Sequence, residues 1–189
     1  MPRQLVTPPT AEPITLAEAK QQRRVTTTAD DPLIDGLIVA ARDWAERFTG
    51  RALMTQTWDY FLDAFPDAIE LQLPPLQSVT SVKYVDTNGM EQTLATTEYT
   101  VDAAAERGLV RPAFGKSWPA TRAQANAITV RFVAGYASAA MVPASIKAGM
   151  HLVIGELYER REHSIVGTII ETVPLNAEYL LSPYRSIRF

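Results

Sequence analysis

The sequence contains no cysteine and only two histidines among its 189 residues. The absence of cysteine excludes disulfides, thiolate metal sites and a cysteine nucleophile. The two histidines are His151 and His163. On one helix, twelve residues turn about 1200° and leave the two side chains about 120° apart, so a single helix face cannot present both to a metal. We interpret both as structural or surface residues.

Long apolar runs and a strong charge of one sign are also lacking. No stretch approaches the roughly 20 apolar residues that span a bilayer, and the first residues lack the apolar run of a signal peptide. The net charge of -3 argues against a nucleic-acid-binding surface over the whole protein, although a local basic patch remains open. We expect a cytosolic chain that forms one folding unit.

One segment resembles a phosphate-binding loop but fails its spacing. The letters "GKS" begin at Gly115, and the motif requires a glycine at position 110, which is Val110. Pro119 also disfavours the helix that would have to follow. We expect no nucleotide site here.

No other motif carries chemistry. The carboxylates of Asp30, Asp31 and Asp35 suit a helix N-terminus better than a cation site. The Gly-x-Ser-x-Gly motif of serine hydrolases is absent. A pair of acids for glycoside hydrolysis is not excluded by the sequence, because its two members come together only in the folded protein. We therefore predict a protein that is not an enzyme, with no catalytic, cofactor-binding or metal site.

The N-terminal region begins with an arm and continues as helix. Four prolines predict an extended arm over residues 1–13 rather than a regular element, with disorder as the alternative. Thr15 and Glu18 have capping-box spacing and predict the start of a short helix. Arg23 and Arg24 stand where an apolar residue is expected to continue its inner face.

A second helix has the clearest signals in the chain. Asp31 can cap it, Pro32 suits its first turn, and Gly50 suits the left-handed residue that ends it. Apolar residues recur along one broad face, and we expect Trp44 and Phe48 to form part of the domain core.

The pattern changes to alternation between residues 55 and 136, which predicts β-strands. Within this section, Asn88 and Gly89 predict a two-residue hairpin turn. Helices return over residues 143–183. With the helices of residues 14–50, this order predicts an α+β fold whose helical core, of N- and C-terminal helices, carries a central antiparallel β insertion.

The last six residues, 184–189, are unusual for a chain end. Tyr184, Ile187 and Phe189 alternate with Arg185 and Arg188, whereas frayed ends are normally small and polar. We expect something to bind these residues. The alternative is that the segment folds back on its own domain.

Several stretches together resemble a known family. They are "PITLAEAK", "DDPLIDGLIVAARDWAERFTGRALMTQTWD", "LPPLQSVTSVKYVD", "ITVRFVAGY", "VPASIKAGMHLVIGELYERRE" and "SPYR". In order and number they resemble the head-tail connector, or adaptor, proteins of tailed phages, prophages and gene transfer agents. None of these stretches is catalytic.

The resemblance implies a single adaptor domain over residues 1–189 and a structural role in the virion neck. About twelve copies would form a ring under the portal protein and join it to stopper or tail-completion proteins. Double-stranded DNA would pass through the ring without specific binding, and no membrane would be involved. The chain would be made in the host cytoplasm.

The resemblance also suggests roles for two sets of residues. The C-terminal arm, with Tyr184, Arg185, Ile187, Arg188 and Phe189, would bind the portal. The hairpin at Asn88 and Gly89 would contact neighbouring copies or the next ring. Two alternatives stay open: another portal-proximal or tail-completion protein, and a small-molecule or glycan-binding module on the β section.

Overall fold

A computed structural model describes residues 2–159 and 175–186 of the chain. Within this part, the chain forms two compact units. A sheet unit comprises residues 2–10 and 54–137, and a helical unit comprises residues 11–53, 138–159 and 175–186. The units contain four helices and two antiparallel sheets, so the predicted α+β class is confirmed. The single adaptor domain stays a prediction.

The sheet unit contains eight strands. They are β1 (Arg3–Thr7), β2 (Gln56–Leu62), β3 (Ile69–Leu71), β4 (Leu76–Val85), β5 (Glu91–Thr93), β6 (Tyr99–Asp102), β7 (Gly108–Pro112) and β8 (Ile128–Ala134). One sheet has the order β1-β2-β8-β4-β5 and the other β3-β7-β6. Strand β8 lies at the centre of the larger sheet, and its alternate residues Ile128, Val130 and Phe132 are buried. The predicted period-two alternation therefore marks the core-facing side.

The N-terminal arm is a strand, which corrects the prediction that residues 1–13 form no regular element. Strand β1 pairs with β2, with Arg3 opposite Tyr60 and Leu5 opposite Trp58. The prolines flank the strand rather than interrupt it, so every residue between Pro2 and Pro8 keeps the N–H group that pairing requires. All five residues of β1 are exposed, as expected at a sheet edge.

The helical unit contains α1 (Leu16–Arg23), α2 (Asp31–Thr49), α3 (Ala144–Glu159) and α4 (Leu175–Leu181). The capping box of α1 is present: the Glu18 N–H donates to Thr15 Oγ1 at 3.2 Å, and the Thr15 N–H donates to Glu18 Oε2 at 2.7 Å. The bond from the Thr15 N–H, together with one that the Thr15 hydroxyl donates to Glu18 Oε2 at 2.9 Å, lowers the pKa of the Glu18 carboxyl. None of the described helices is long and apolar enough to cross a membrane.

Helix α2 ends as predicted but begins differently. Gly50 follows it with φ 69°, the left-handed conformation that glycine adopts without strain. Asp31, the expected cap, is instead the first helical residue, and its carboxylate accepts a hydrogen bond from Lys20 at 2.5 Å. Asp30 occupies the cap position without a side-chain capping bond.

The core of α2 also differs from the prediction. Ile34, Ile38 and Ala45 are buried, whereas Trp44 and Phe48 are only half-buried. At about 100° per residue, Trp44 lies about 100° around the helix from the centre of these three buried residues. The two aromatic rings stack on each other, with centroids 5.5 Å apart.

Arg23, which interrupts the apolar face of α1, lies against a glycine of α3. An ideal Cβ built on Gly155 would lie 1.7 Å from Arg23 Nη2. This nitrogen donates to the His151 carbonyl at 3.2 Å, and Nη1 donates to Glu159 at 3.0 Å. The missing side chain of Gly155 therefore makes room for an arginine where an apolar residue was expected. Arg24 ends the helix at φ 54°.

Candidate assembly interfaces

The β4–β5 turn carries the two residues predicted to contact other subunits. The Gly89 N–H donates to the Asp86 carbonyl and the Asp86 N–H to the Met90 carbonyl, each at 2.9 Å. Gly89 has φ 86°, and Asn88 does not have a positive φ. The connection is therefore a three-residue loop that ends in a left-handed glycine, and the predicted two-residue turn with two positive φ values is wrong.

The Asp86 carboxylate explains this difference. Its Oδ1 accepts hydrogen bonds from the N–H groups of Asn88 at 2.9 Å and Met90 at 3.0 Å. Its Oδ2 accepts one from the Gln92 side chain at 3.0 Å. These bonds, that from Met90 most, lower the pKa of the Asp86 carboxyl. An aspartate that bonds the backbone ahead of it favours the longer loop.

The tip of this turn is ordered and partly apolar. Asn88 is exposed, and 63% of Met90 is exposed beside it. The Arg122 guanidinium occupies the space that a side chain at Gly89 would need, since a Cβ there would lie 2.6 Å from its Nη1. Met90 is the contact candidate that sequence reasoning missed, and its position directly after Asn-Gly is the signal that could have found it.

The C-terminal segment is described as far as Ser186. The Tyr184 carbonyl accepts a hydrogen bond from Arg51 Nε, and the Ser186 N–H donates to the Thr49 carbonyl at 2.7 Å. The Arg185 guanidinium lies over the ring of Phe48, 5.1 Å from its centroid. The first three residues of the predicted arm therefore contact the end of α2 in the same chain. The other arm residues, Ile187, Arg188 and Phe189, lie outside the described part.

The acids at the start of α2 serve structural contacts. Asp31 pairs with Lys20, and the Asp30 carboxylate accepts a hydrogen bond from the Tyr158 hydroxyl at 2.6 Å. Among the described residues, no group of three or more histidine, cysteine or acidic side chains could hold a metal ion. The predictions of no catalytic, no cofactor-binding and no metal site stay predictions.

The "GKS" segment forms a turn rather than the start of a helix. Gly115 has φ 74°, and the Lys116 N–H donates to the Ala113 carbonyl at 2.9 Å. The Lys116 ammonium pairs with Glu98 at 3.1 Å. The segment therefore lacks the helix N-terminus that a phosphate-binding loop needs.

The charged face of the larger sheet is paired within itself. The Asp59 carboxylate accepts two hydrogen bonds from Arg131, at 2.8 and 2.7 Å, between neighbouring strands. Lys83 pairs with Glu91 at 2.8 Å across the β4–β5 hairpin. These charges hold strands together, and the arrangement gives the small-molecule or glycan alternative no specific support.

The family assignment rests on the first part of the chain. A model of the family described as phage gp6-like head-tail connector protein matches residues 13–109, slightly more than half of the sequence. The chain belongs to this family. The resemblance inferred from the sequence motifs is confirmed, and the match includes α1, α2 and the β4–β5 turn of the connector. A search of curated proteins found no similar sequence.

Solved structures show the same fold over the whole connector. A chain from the neck of an empty gene transfer agent particle, computed with C6 symmetry, is similar with a TM-score of 0.79 and 22% identity. A chain from the virion of a native gene transfer agent particle is similar with a TM-score of 0.80 and 23% identity. Each match covers 100% of this chain and 97% of the other. A third match, with a TM-score of 0.68 and 22% identity, comes from a native neck computed with C12 symmetry.

Proposed function

We propose that this connector forms a ring of about twelve copies below the portal, in the neck of the virion. The ring joins the DNA-filled head to stopper or tail-completion proteins and lets DNA pass through its centre. One observation carries the proposal: this chain, a member of the connector family, is similar over its whole length to a chain from the neck of a gene transfer agent particle, with a TM-score of 0.79. A related neck with C12 symmetry supports the copy number. The protein is made in the host cytoplasm and involves no membrane.

The charge of the chain suits a channel that releases DNA. Lysine and arginine that contact phosphates give tight, salt-dependent binding, which would slow DNA exit. The connector has 18 basic and 21 acidic residues. Arg131, Arg107 and Lys116 are each paired with an acid of the same unit. DNA therefore passes without specific binding.

The β4–β5 hairpin contacts neighbouring copies or the next ring. Its tip is held by the three hydrogen bonds to Asp86, so contact through Asn88 and Met90 requires little ordering of the loop. Gly89 serves this role by permitting the turn.

The C-terminal arm binds the portal. Tyr184, Arg185 and Ser186 fix the point at which the arm leaves the end of α2. Ile187, Arg188 and Phe189 then supply apolar anchors and an arginine able to form a forked bond with a carboxylate. Each contact is weak, but the arms of one ring bind together and their effective concentration is high.

Truncation tests the arm and the function separately. Removal of residues 187–189 keeps the hydrogen bond between Ser186 and Thr49, so we expect an unchanged melting temperature and loss of attachment to DNA-filled heads. The control is the full-length chain, which must attach. Full attachment of the truncated chain would show that the portal is held elsewhere, and failure of the full-length chain to attach would contradict the proposed function.

A further inference from the structure

A stripe of apolar side chains on α2 is only partly covered by the rest of the described chain, where the Arg185 guanidinium lies over Phe48. Its members lie at the spacing of one helix face: Leu33, Leu37, Ala40, Trp44 and Phe48. Leu33 and Ala40 are exposed, and the other three are half-buried. Gly36 borders the stripe, and a Cβ there would meet no atom within 4 Å. Partly exposed apolar surface therefore runs along this face of the helix and is most open at Leu33 and Ala40.

We propose that this α2 stripe is the apolar centre of the contact between adjacent copies in the ring. The inference rests on the proposed function, because it assigns a surface to the ring of copies. A contiguous apolar patch with a polar border is typical of a protein-protein contact, and a straight helix face suits the side chains of another folded subunit.

The border of the stripe favours a second copy over an anionic partner. Asp43 and Arg47 lie one turn apart beside it. Arg47 is exposed, and the Asp43 side chain remains 48% exposed although it pairs with Arg42 at 3.0 Å. DNA or an acidic membrane surface docked on the stripe would meet the negative charge of Asp43 beside it. The border carries one negative and one positive side chain, so a partner surface with charges of both signs is complementary to it. A second copy of the connector meets this requirement, since the chain has 18 basic and 21 acidic residues.

The same helical unit also offers apolar residues for the opposite side of the contact. A closed ring joins two different surfaces of each copy. Outside α2, Tyr179 on α4 is 79% exposed and Leu157 on α3 is 43% exposed. One copy can therefore present the stripe while the next presents other apolar side chains.

The size of the stripe suits a ring rather than an isolated dimer. At 1.5 Å per residue, the stripe from Leu33 to Phe48 is roughly 22 Å long and about 10 Å wide, so it covers at most roughly 220 Å². A stable two-protein contact buries about 800 Å² on each partner. In a ring, each copy has two neighbours and the portal gathers all copies, which raises their effective concentration. Attachment to heads should therefore be cooperative.

The test introduces one glutamate on the stripe in two variants and one glutamate off the stripe in a control variant. Leu33→Glu and Ala40→Glu lie on it, and Val39→Glu is the matched control, since Val39 and Leu33 are each 41% exposed and share the helix. Binding of each purified full-length protein to connector-free, DNA-filled heads is measured against concentration, beside its melting temperature. We expect wild type and Val39→Glu to bind cooperatively, and the stripe variants to lose cooperativity and need about tenfold more protein.

Two results would overturn the inference: cooperative binding by both stripe variants, or equal loss in the Val39→Glu control. Should Ala40→Glu lower the melting temperature, Leu33→Glu decides, because an acid is favourable in the first turn of a helix. Failure of the wild-type chain to attach would contradict the proposed function itself. If only the inference about the stripe is wrong, the wild-type chain still attaches to heads, so the two results are distinguishable.

Discussion

Replacing Gly155 with alanine tests how α1 packs on α3. The new Cβ would lie 1.7 Å from Arg23 Nη2, so the guanidinium must move away from residue 155. It would then lose its hydrogen bond to the His151 carbonyl, at 3.2 Å, and its ion pair with Glu159, at 3.0 Å.

The expected loss follows from three contributions to the free energy of unfolding. A hydrogen bond from a charged group contributes about 1.5 to 3 kcal/mol. The ion pair adds little, since the Glu159 side chain is 69% exposed. Alanine in a helix interior is about 1 kcal/mol more favourable than glycine. Gly155→Ala should therefore lower the free energy of unfolding by about 0.5 to 2 kcal/mol.

The sign should reverse when the arginine is absent. In an Arg23→Ala background, Gly155→Ala meets no guanidinium and should raise the free energy of unfolding by about 1 kcal/mol. Urea unfolding of the four proteins, followed by circular dichroism, measures this double-mutant cycle. Gly36→Ala is the control, because its Cβ meets no atom within 4 Å and should stabilise both backgrounds by about 1 kcal/mol. Stabilisation by Gly155→Ala in both backgrounds would refute the reasoning.

Three further predictions use the same unfolding measurement. Gly89→Ala should lower the free energy of unfolding by about 1 to 2 kcal/mol, because alanine is strained at φ 86° and displaces Arg122. An unchanged urea midpoint would contradict the left-handed conformation of residue 89. Burial lowers the pKa of His151, so stability should fall as pH drops below about 6.5, and His151→Gln should remove that slope. Phe132→Ala should cost about 3 to 5 kcal/mol and Trp44→Ala clearly less; equal losses would contradict the half-buried position of Trp44.

Local signals predicted the parts of the fold that local interactions determine. Thr15 and Glu18 form the capping box because both partners lie within one turn. Gly50 ends α2 because its left-handed conformation depends on that residue alone. The position of the β4–β5 hairpin was also predicted, whereas its loop length depends on the Asp86 carboxylate, which a two-residue motif does not include.

Distant partners decided what the sequence could not predict. Strand β1 forms because β2 offers an edge about fifty residues later, and Arg23 is accommodated because a glycine lies at position 155. The apolar pattern of α2 showed a broad face, but not how much of it other helices of the chain cover. Trp44 and Phe48 were therefore placed in the core, although they are half-buried. The family was inferred from the order and number of many motifs, since none of them matches a known catalytic motif.

The central claim is tested most directly by a cryo-electron microscopy reconstruction of DNA-filled, connector-free heads incubated with the purified full-length chain. We expect a ring of about twelve copies directly below the portal, with an open centre and with the residues after Ser186 in contact with the portal. Copies bound elsewhere on the particle, or heads without a ring at protein concentrations that saturate self-association, would contradict it.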